Sequence, residues 1–220
     1  MPHGLFVTGT DTGVGKTAVS AALLSRFRRQ RPVRYWKPIQ TGIEQDDDTA
    51  KVAHLACATT EEIFDEGIRL PRPVSPHLAA RWGQQTIDLH PLVASVSRQG
   101  DAVCWIVEGA GGALVPINDD HTMIDFMVML DFPVVVVART SLGTINHTLM
   151  TVEALRHRSL YVAGVVMVGN PDADARDAIE QYGHVAAVGE MPTFDALTPE
   201  VLAVWASNFD PAGRLLAKMP

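Results

Sequence analysis

The chain has 220 residues, 47% of them hydrophobic and 20% charged, with a formal net charge of −7. That apolar content excludes a disordered chain, no run of ~20 apolar residues is present to span a membrane, and the acidic balance lacks the basic footprint of a nucleic-acid binder. Cys57 and Cys104 are too few for a disulfide framework and lack metal-ligand spacing, and no signal peptide is expected, so a cytoplasmic location follows. In chain order, a short apolar strand is predicted at Leu5–Thr8, then a helix from Lys16 to about Arg29, with Arg26, Arg28, Arg29 and Arg31 as its solvated end. A strand at Val33–Trp36 follows, and loops rich in Gly, Pro and Asp are expected at Gly42–Asp48 and Arg69–Pro76. Next come a helix at Leu89–Arg98, a strand at Ala102–Val107, a helix at Ile124–Leu130 and a strand at Val134–Ala138. The pattern closes with a helix at Ile145–His157, a strand at Val162–Val168, a helix at Ala175–Tyr182 and a strand at Val185–Val188. A last helix opens at Thr198-Pro199-Glu200, an N-cap with Pro at the first helical position. Near-continuous Val/Ile runs mark strands buried on both faces. Their alternation with helices predicts an α/β fold, a mainly parallel sheet flanked by helices on both faces. No linker interrupts it, so residues 1–220 read as a single domain.

The strongest chemical signal is Thr8-Gly9-Thr10-Asp11-Thr12-Gly13-Val14-Gly15-Lys16-Thr17, between a predicted strand and a predicted helix. That is the context of a phosphate loop: small residues let backbone N–H groups wrap a phosphate, and the helix adds its positive end. Lys16 supplies charge to the β- and γ-phosphates and Thr17 offers a hydroxyl to Mg²⁺. Gly9 and Gly15 stand five residues apart rather than the usual four. The strand ending in Val107 leads into Glu108-Gly109-Ala110-Gly111-Gly112, an acid at a strand end as expected near Mg²⁺. A second carboxylate is expected from Asp46-Asp47-Asp48, since Mg²⁺ takes one or two protein carboxylates. Lys37, in Lys37-Pro38-Ile39-Gln40-Thr41-Gly42, ends the Val33–Trp36 strand and so shares the carboxyl-end rim of the sheet with the loop and Glu108. Two lysines around one phosphate suit phosphoryl transfer. The eight histidines form no HxH or HxxxH pair and read mostly as surface residues, with His77 and His147 at loop-to-helix junctions.

Six segments in order carry a resemblance: VTGTDTGVGKT at Val7–Thr17, KPIQTG at Lys37–Gly42, SPH at Ser75–His77, VEGAGG at Val107–Gly112, LGTINH at Leu142–His147 and GEMP at Gly189–Pro192. Together they resemble the dethiobiotin synthetase family, of phosphate-loop (P-loop) NTPase fold, over nearly the whole chain, and the five-residue glycine spacing is normal there. The resemblance implies an ATP- and Mg²⁺-dependent closure of 7,8-diaminononanoate and CO₂ into a cyclic urea. It places Thr17, Asp48 and Glu108 on the metal, and Gly13, Val14, Gly15, Lys16, Thr17 and Ala18 around the phosphates. Glu108, Gly109, Ala110 and Gly111 would line the nucleotide. Lys37 takes the place of the catalytic lysine, with Lys16 and Thr12 beside it, and Thr41 touches the substrate. Pro192, Thr193 and Phe194 match a stretch bordering adenine, and Glu200 falls near the ribose. Where many members carry an Asn-Asp pair that reads adenine, this chain has Val168 and Gly169, with Asn170 two residues on; loose nucleotide choice is the expectation. A homodimer is implied, in which Leu142, Gly143 and Asn146 of one chain hold the substrate's carboxylate in the other's site. The runner-up reading is a partitioning or positioning ATPase switch of the same branch; such proteins carry a signature lysine early in the loop, where Asp11 stands here.

Overall fold

The computed structural model describes residues 2–210 and 213–218. In chain order the elements are β1 (His3–Gly9), α1 (Lys16–Phe27), β2 (Val33–Trp36), β3 (Ile39–Thr41), α2 (Asp48–Leu55), β4 (Ile63–Phe64), β5 (Ile68–Leu70), α3 (Pro76–Trp82) and α4 (Leu89–Arg98). There follow β6 (Cys104–Gly112), α5 (Met123–Leu130), β7 (Val134–Arg139), α6 (Thr144–His157), β8 (Val162–Val168), α7 (Ala173–Gly183), β9 (Ala187–Met191) and α8 (Pro199–Asn208). Seven strands form one sheet in the order β4-β2-β6-β1-β7-β8-β9, and β3 pairs with β5 in a small second sheet. Every ladder pairs parallel.

Strand periodicity sorts the core into two layers. Leu5 and Val7 of β1, Ile106 of β6, and Val135 and Val137 of β7 face α1, α2 and α8, while Phe6, Trp105, Val107, Val134 and Val136 face the α3–α7 side. On that second face Trp36, Phe64, Trp105 and Phe126 meet edge to face, with ring centroids 5.2–6.1 Å apart. Edge-to-face pairs add to the burial of large rings, and here they tie together β2, β4 and β6, whose carboxyl ends carry the polar residues described below.

The expected α/β layers are present, with four differences. α2, α3 and the short strands β3, β4 and β5 have no predicted counterpart: elements of two to eight residues carry too few turns or alternations to show a period. β6 continues through Gly112, so Glu108 lies inside the assigned strand rather than at its end. β9 starts at Ala187 instead of Val185. Finally, the arginines at the end of α1 are not simply solvated. Arg28 donates to the carbonyls of Ala56 (2.7 Å) and Cys57 (3.1 Å) and pairs with Glu62, and Arg26 donates to the Phe209 carbonyl. Their stems and forks clamp α1 to α2 and to the chain after α8, a use that composition alone does not reveal.

Candidate active site

The loop between β1 and α1 turns through Gly15 at φ 99°, a left-handed conformation natural to glycine, and a Cβ there would also approach the Val168 side chain to 3.0 Å. α1 therefore starts at Lys16 with its first amides bare of a side-chain cap, an anion-binding arrangement. Lys16 is buried and folds back so that its Nζ donates to the Asp11 carbonyl at 3.0 Å. Burial, and then the charge of Lys37, lower its pKa to about 8. The Asp11 carboxylate accepts from the Thr12 amide at 2.7 Å and pairs with Arg139 at the end of β7.

The β2–β6 register sets Tyr35 across from Ile106; with alternate residues sharing a face, two steps further along brings Lys37 beside Glu108. Glu108 is fully buried and Lys37 is 3% exposed. Lys37 Nζ lies 2.8 Å from Glu108 Oε1 and 2.7 Å from Asp48 Oδ2, and donates to the Gly109 carbonyl at 3.1 Å. Thr17 Oγ1 is 3.0 Å from both Asp48 Oδ1 and Glu108 Oε1, and Tyr35 donates to Glu108 Oε2 at 3.1 Å. Burial pulls the Lys37 pKa down, but Glu108 and Asp48 outweigh it and leave the ammonium above its ordinary value. Burial raises the Asp48 carboxyl, and Lys37 and Thr17 more than offset that, holding it ionised. Burial and the nearby Glu108 carboxylate push the Tyr35 phenol well up, so it remains a hydrogen-bond donor.

The three successive aspartates divide three tasks. Asp46 pairs at the surface with Lys51. Asp47 caps α2, its side chain accepting from the Ala50 amide at 3.0 Å. Only Asp48, in the first turn of α2, reaches Thr17 and Lys37.

These groups open on a cavity of about 750 Å³. Of the residues singled out in the sequence, Thr12, Gly13, Gly15, Lys16, Thr17 and Ala18 of the phosphate loop and α1 line it. Lys37, Thr41, Asp48, Glu108, Ala110 and Gly111 line it as well. Val14 does not: its side chain is buried in the α1-side core. Gly109 is backed by the Phe6 ring, which a Cβ would meet at 2.9 Å, and contributes its carbonyl to Lys37. Asn170 and Thr193 border a separate depression of about 620 Å³ beyond β8, with Arg139 and Ser141. Pro192 follows β9, Phe194 packs against the α1-side core, and Glu200 stands exposed in the first turn of α8. Leu142, Gly143 and Asn146 sit exposed at the start of α6, away from the cavity wall, with Asn146 Nδ2 3.4 Å from Met150 Sδ. Thr144 does not cap that helix; its hydroxyl donates to the Arg139 carbonyl, and Gly143 takes the N-cap position. Tyr35 and Leu197 are a partner and a wall residue outside every motif, and Gln40 and Ser75 are wall residues inside the KPIQTG and SPH segments to which the sequence assigned no role. Tyr35 was findable by strand alternation from Lys37; the others come from segments brought in by the fold.

A family described as AAA domain matches residues 3–201. The chain is 48% identical over 201 residues to the ATP-dependent dethiobiotin synthetase BioD of Paramagnetospirillum magneticum, covering 91% of this chain and 93% of that one. It belongs to the dethiobiotin synthetase family. A second ATP-dependent dethiobiotin synthetase, from Agrobacterium fabrum, is 42% identical over 95% of each chain. The family is one of ATP-dependent ligases acting in biotin biosynthesis. Among solved structures, the MinC:MinD cell division complex of Aquifex aeolicus matches with a TM-score of 0.58, at 14% identity over 97% of this chain and 95% of that one. That similarity establishes the P-loop NTPase fold and nothing finer.

Proposed function

We propose that this protein, acting as one domain, joins 7,8-diaminononanoate and CO₂ at the expense of ATP to give dethiobiotin, ADP and phosphate. The observation carrying this reading is the convergence of half-buried Thr17 and Asp48 with buried Lys37 and Glu108 at the mouth of the phosphate loop. One amine takes up CO₂ as a carbamate. A carbamate oxygen attacks the γ-phosphorus and expels ADP, giving a carbamic–phosphoric anhydride. The second amine attacks the carbonyl carbon, closes the cyclic urea and releases phosphate.

Two carboxylates that share one ammonium, with a hydroxyl within 3.0 Å of both, fit the oxygen-donor set of a hard dication. Thr17, Asp48 and Glu108 would hold Mg²⁺, which when bound neutralises triphosphate charge. The amides of residues 13–18 and Lys16 would wrap the phosphates. Lys37 stays protonated across the neutral range and supplies charge to the transferring phosphoryl oxygens, while Thr12 and Thr41 border the reacting groups. Catalysis on this reading is positioning and electrostatic stabilisation rather than base chemistry. Ala110 and Gly111 would border the nucleotide, with its base toward Asn170, Pro192, Thr193, Phe194 and Glu200. Val168 packs on Gly15 and offers no amide to a base edge.

The exposed start of α6 supports a shared site in a homodimer: Leu142 is fully exposed, and Ile145 and Met150 add apolar surface. A cytoplasmic location is part of the proposal; among the described residues no helix is long and apolar enough to cross a membrane. The test is phosphate release from ATP with and without 7,8-diaminononanoate and bicarbonate. Release that requires both supports the reading; release indifferent to the diamine overturns it. The alternative of an ATPase switch draws support only from the fold, which hosts many functions.

A further inference from the structure

Gln40 lies in the middle of β3 and is 2% exposed. Its Nε2 donates to the Asp46 carbonyl at 2.7 Å, which decides the orientation of the amide. Its Oε1 is then left buried with no hydrogen-bond partner among the described residues. A buried acceptor without a donor costs about 1–3 kcal/mol, so such atoms are uncommon unless something else fills the role. Gln40 forms part of the wall of the same cavity as Lys37, Thr41 and Asp48. The carboxylate oxygens there already receive Thr17, Tyr35 and Lys37. Gln40 is thus a wall residue whose buried amide oxygen has no donor among the described residues.

Building on the function proposed above, we infer that Gln40 binds the substrate: its amide oxygen accepts an N–H from one amine of the vicinal diamine. The chemistry of the reactants selects this occupant. Phosphates, CO₂ and the substrate's carboxylate offer only acceptors to the wall. The base amine and ribose hydroxyls of ATP lie at the far end of the triphosphate from its γ-phosphorus, the atom that Lys37 serves. The diamine is the reactant that brings N–H donors to the reacting end. A neutral acceptor also suits the step. A carboxylate in this place would favour the protonated amine, which has no lone pair for CO₂ or for the carbonyl carbon. An amide oxygen holds the N–H without that penalty.

Gln40 has two polar ends, and substitutions separate them. Gln40→Lys keeps a donor for the Asp46 carbonyl and removes the acceptor; Gln40→Glu keeps an acceptor and removes the donor. Steady-state phosphate release is measured against diamine and against ATP. Gln40→Lys is expected to raise KM for the diamine by about 10-fold, the worth of one hydrogen bond, with KM for ATP within about twofold. Gln40→Glu is expected to keep the diamine KM near wild type while the pH optimum of kcat moves to alkaline values, because its charge stabilises the ammonium form. A Gln40→Lys variant with wild-type diamine KM overturns the inference, as does a parallel rise in KM for ATP, which would mark a brace for the Asp46–Asp48 segment. Should Gln40→Lys fail to fold in a thermal melt, the apolar Gln40→Met takes its place; because it removes both polar ends, it is compared with Gln40→Glu, which lacks the same donor, and a diamine KM no higher than that of Gln40→Glu overturns the inference. Wild-type protein with no diamine-dependent phosphate release overturns the proposed function and with it this inference, a result distinct from active wild type with an indifferent Gln40.

Discussion

Two parts of the carboxyl-end rim of the sheet are built in opposite ways. Around β1, β2 and β6, Lys37 and Glu108 are buried, Asp48 is half-buried, and the charged groups meet one another: Lys37 bonds Asp48 and Glu108, the Thr17 hydroxyl lies 3.0 Å from both acids, and Tyr35 donates to Glu108. Around β7, β8 and α6 the candidate residues stand in solvent. Leu142, Gly143 and Asn146 are exposed, and Asn170 borders an open depression. Burying charges is expensive unless each finds a partner, so the first region is organised by its own chain before any ligand arrives. The second region has no such closure. Its residues suit surfaces completed by another body, whether nucleotide base or partner subunit.

The largest effect is expected from breaking the organised half. Lys37→Gln keeps a hydrogen-bond donor but removes the charge between the two acids, and turnover at saturating ATP should fall about 10²–10³-fold. Phosphate release by the purified variant checks this, and near-normal turnover would take Lys37 out of the chemistry. The open half is tested by mixing two inactive variants, Lys37→Ala and Asn146→Ala, after dissociating both. With a shared two-fold site, random pairing gives each heterodimer one intact site, and about a quarter of wild-type activity returns. Confirmed subunit exchange with no recovered activity would show each site to lie within one chain.

A gentler probe of the open half is nucleotide choice. Discrimination of about 10⁴ requires buried polar groups matched to the base, and Val168 is committed to packing on Gly15. Turnover with CTP or GTP beside ATP should therefore differ by less than that factor; a larger ATP preference would locate a side-chain reader elsewhere on this rim.

The smallest effect tests whether the far end of α6 is independent of both. Asp125 closes a capping box with Thr122 at the start of α5 and pairs at 2.6 Å with Arg158, which follows α6. Burial raises its carboxyl, but the Thr122 amide, the Thr122 hydroxyl and Arg158 together bring its pKa down to about 2. A folded-state pKa below the ordinary carboxylate value means that this contribution is fully present above about pH 4 and is lost as pH falls toward 2. Asp125→Asn should therefore destabilise the protein by about 1 kcal/mol at pH 7, with the gap to wild type closing as pH falls through that window. Denaturant melts across pH measure it, and kcat should stay unchanged.

The residues that handle phosphate were legible because their chemistry is written in contiguous stretches. A glycine-rich turn, a lysine and a hydroxyl between strand and helix make one local unit whose backbone does the binding. Lys37 and Glu108 were legible as charges at the ends of apolar runs, although β6 runs on past Glu108. The Asp46–Asp48 run was ambiguous as a string: all three are identical side chains in one loop. Which of them caps, which pairs and which enters the site depends on how α2 lies against α1.

The sequence by itself determined the α/β alternation, the phosphate loop and the identity of the two lysines, because each rests on periodicity or on contacts within a few residues. Only the tertiary structure decided the strand order β4-β2-β6-β1-β7-β8-β9, which sets Lys37 beside Glu108 across 71 positions of chain. It likewise decided that Tyr35 donates to Glu108 and that the Gln40 oxygen has no partner among the described residues. Such facts depend on which strands become neighbours and in what register, and a one-residue slip would turn every one of these side chains to the other face.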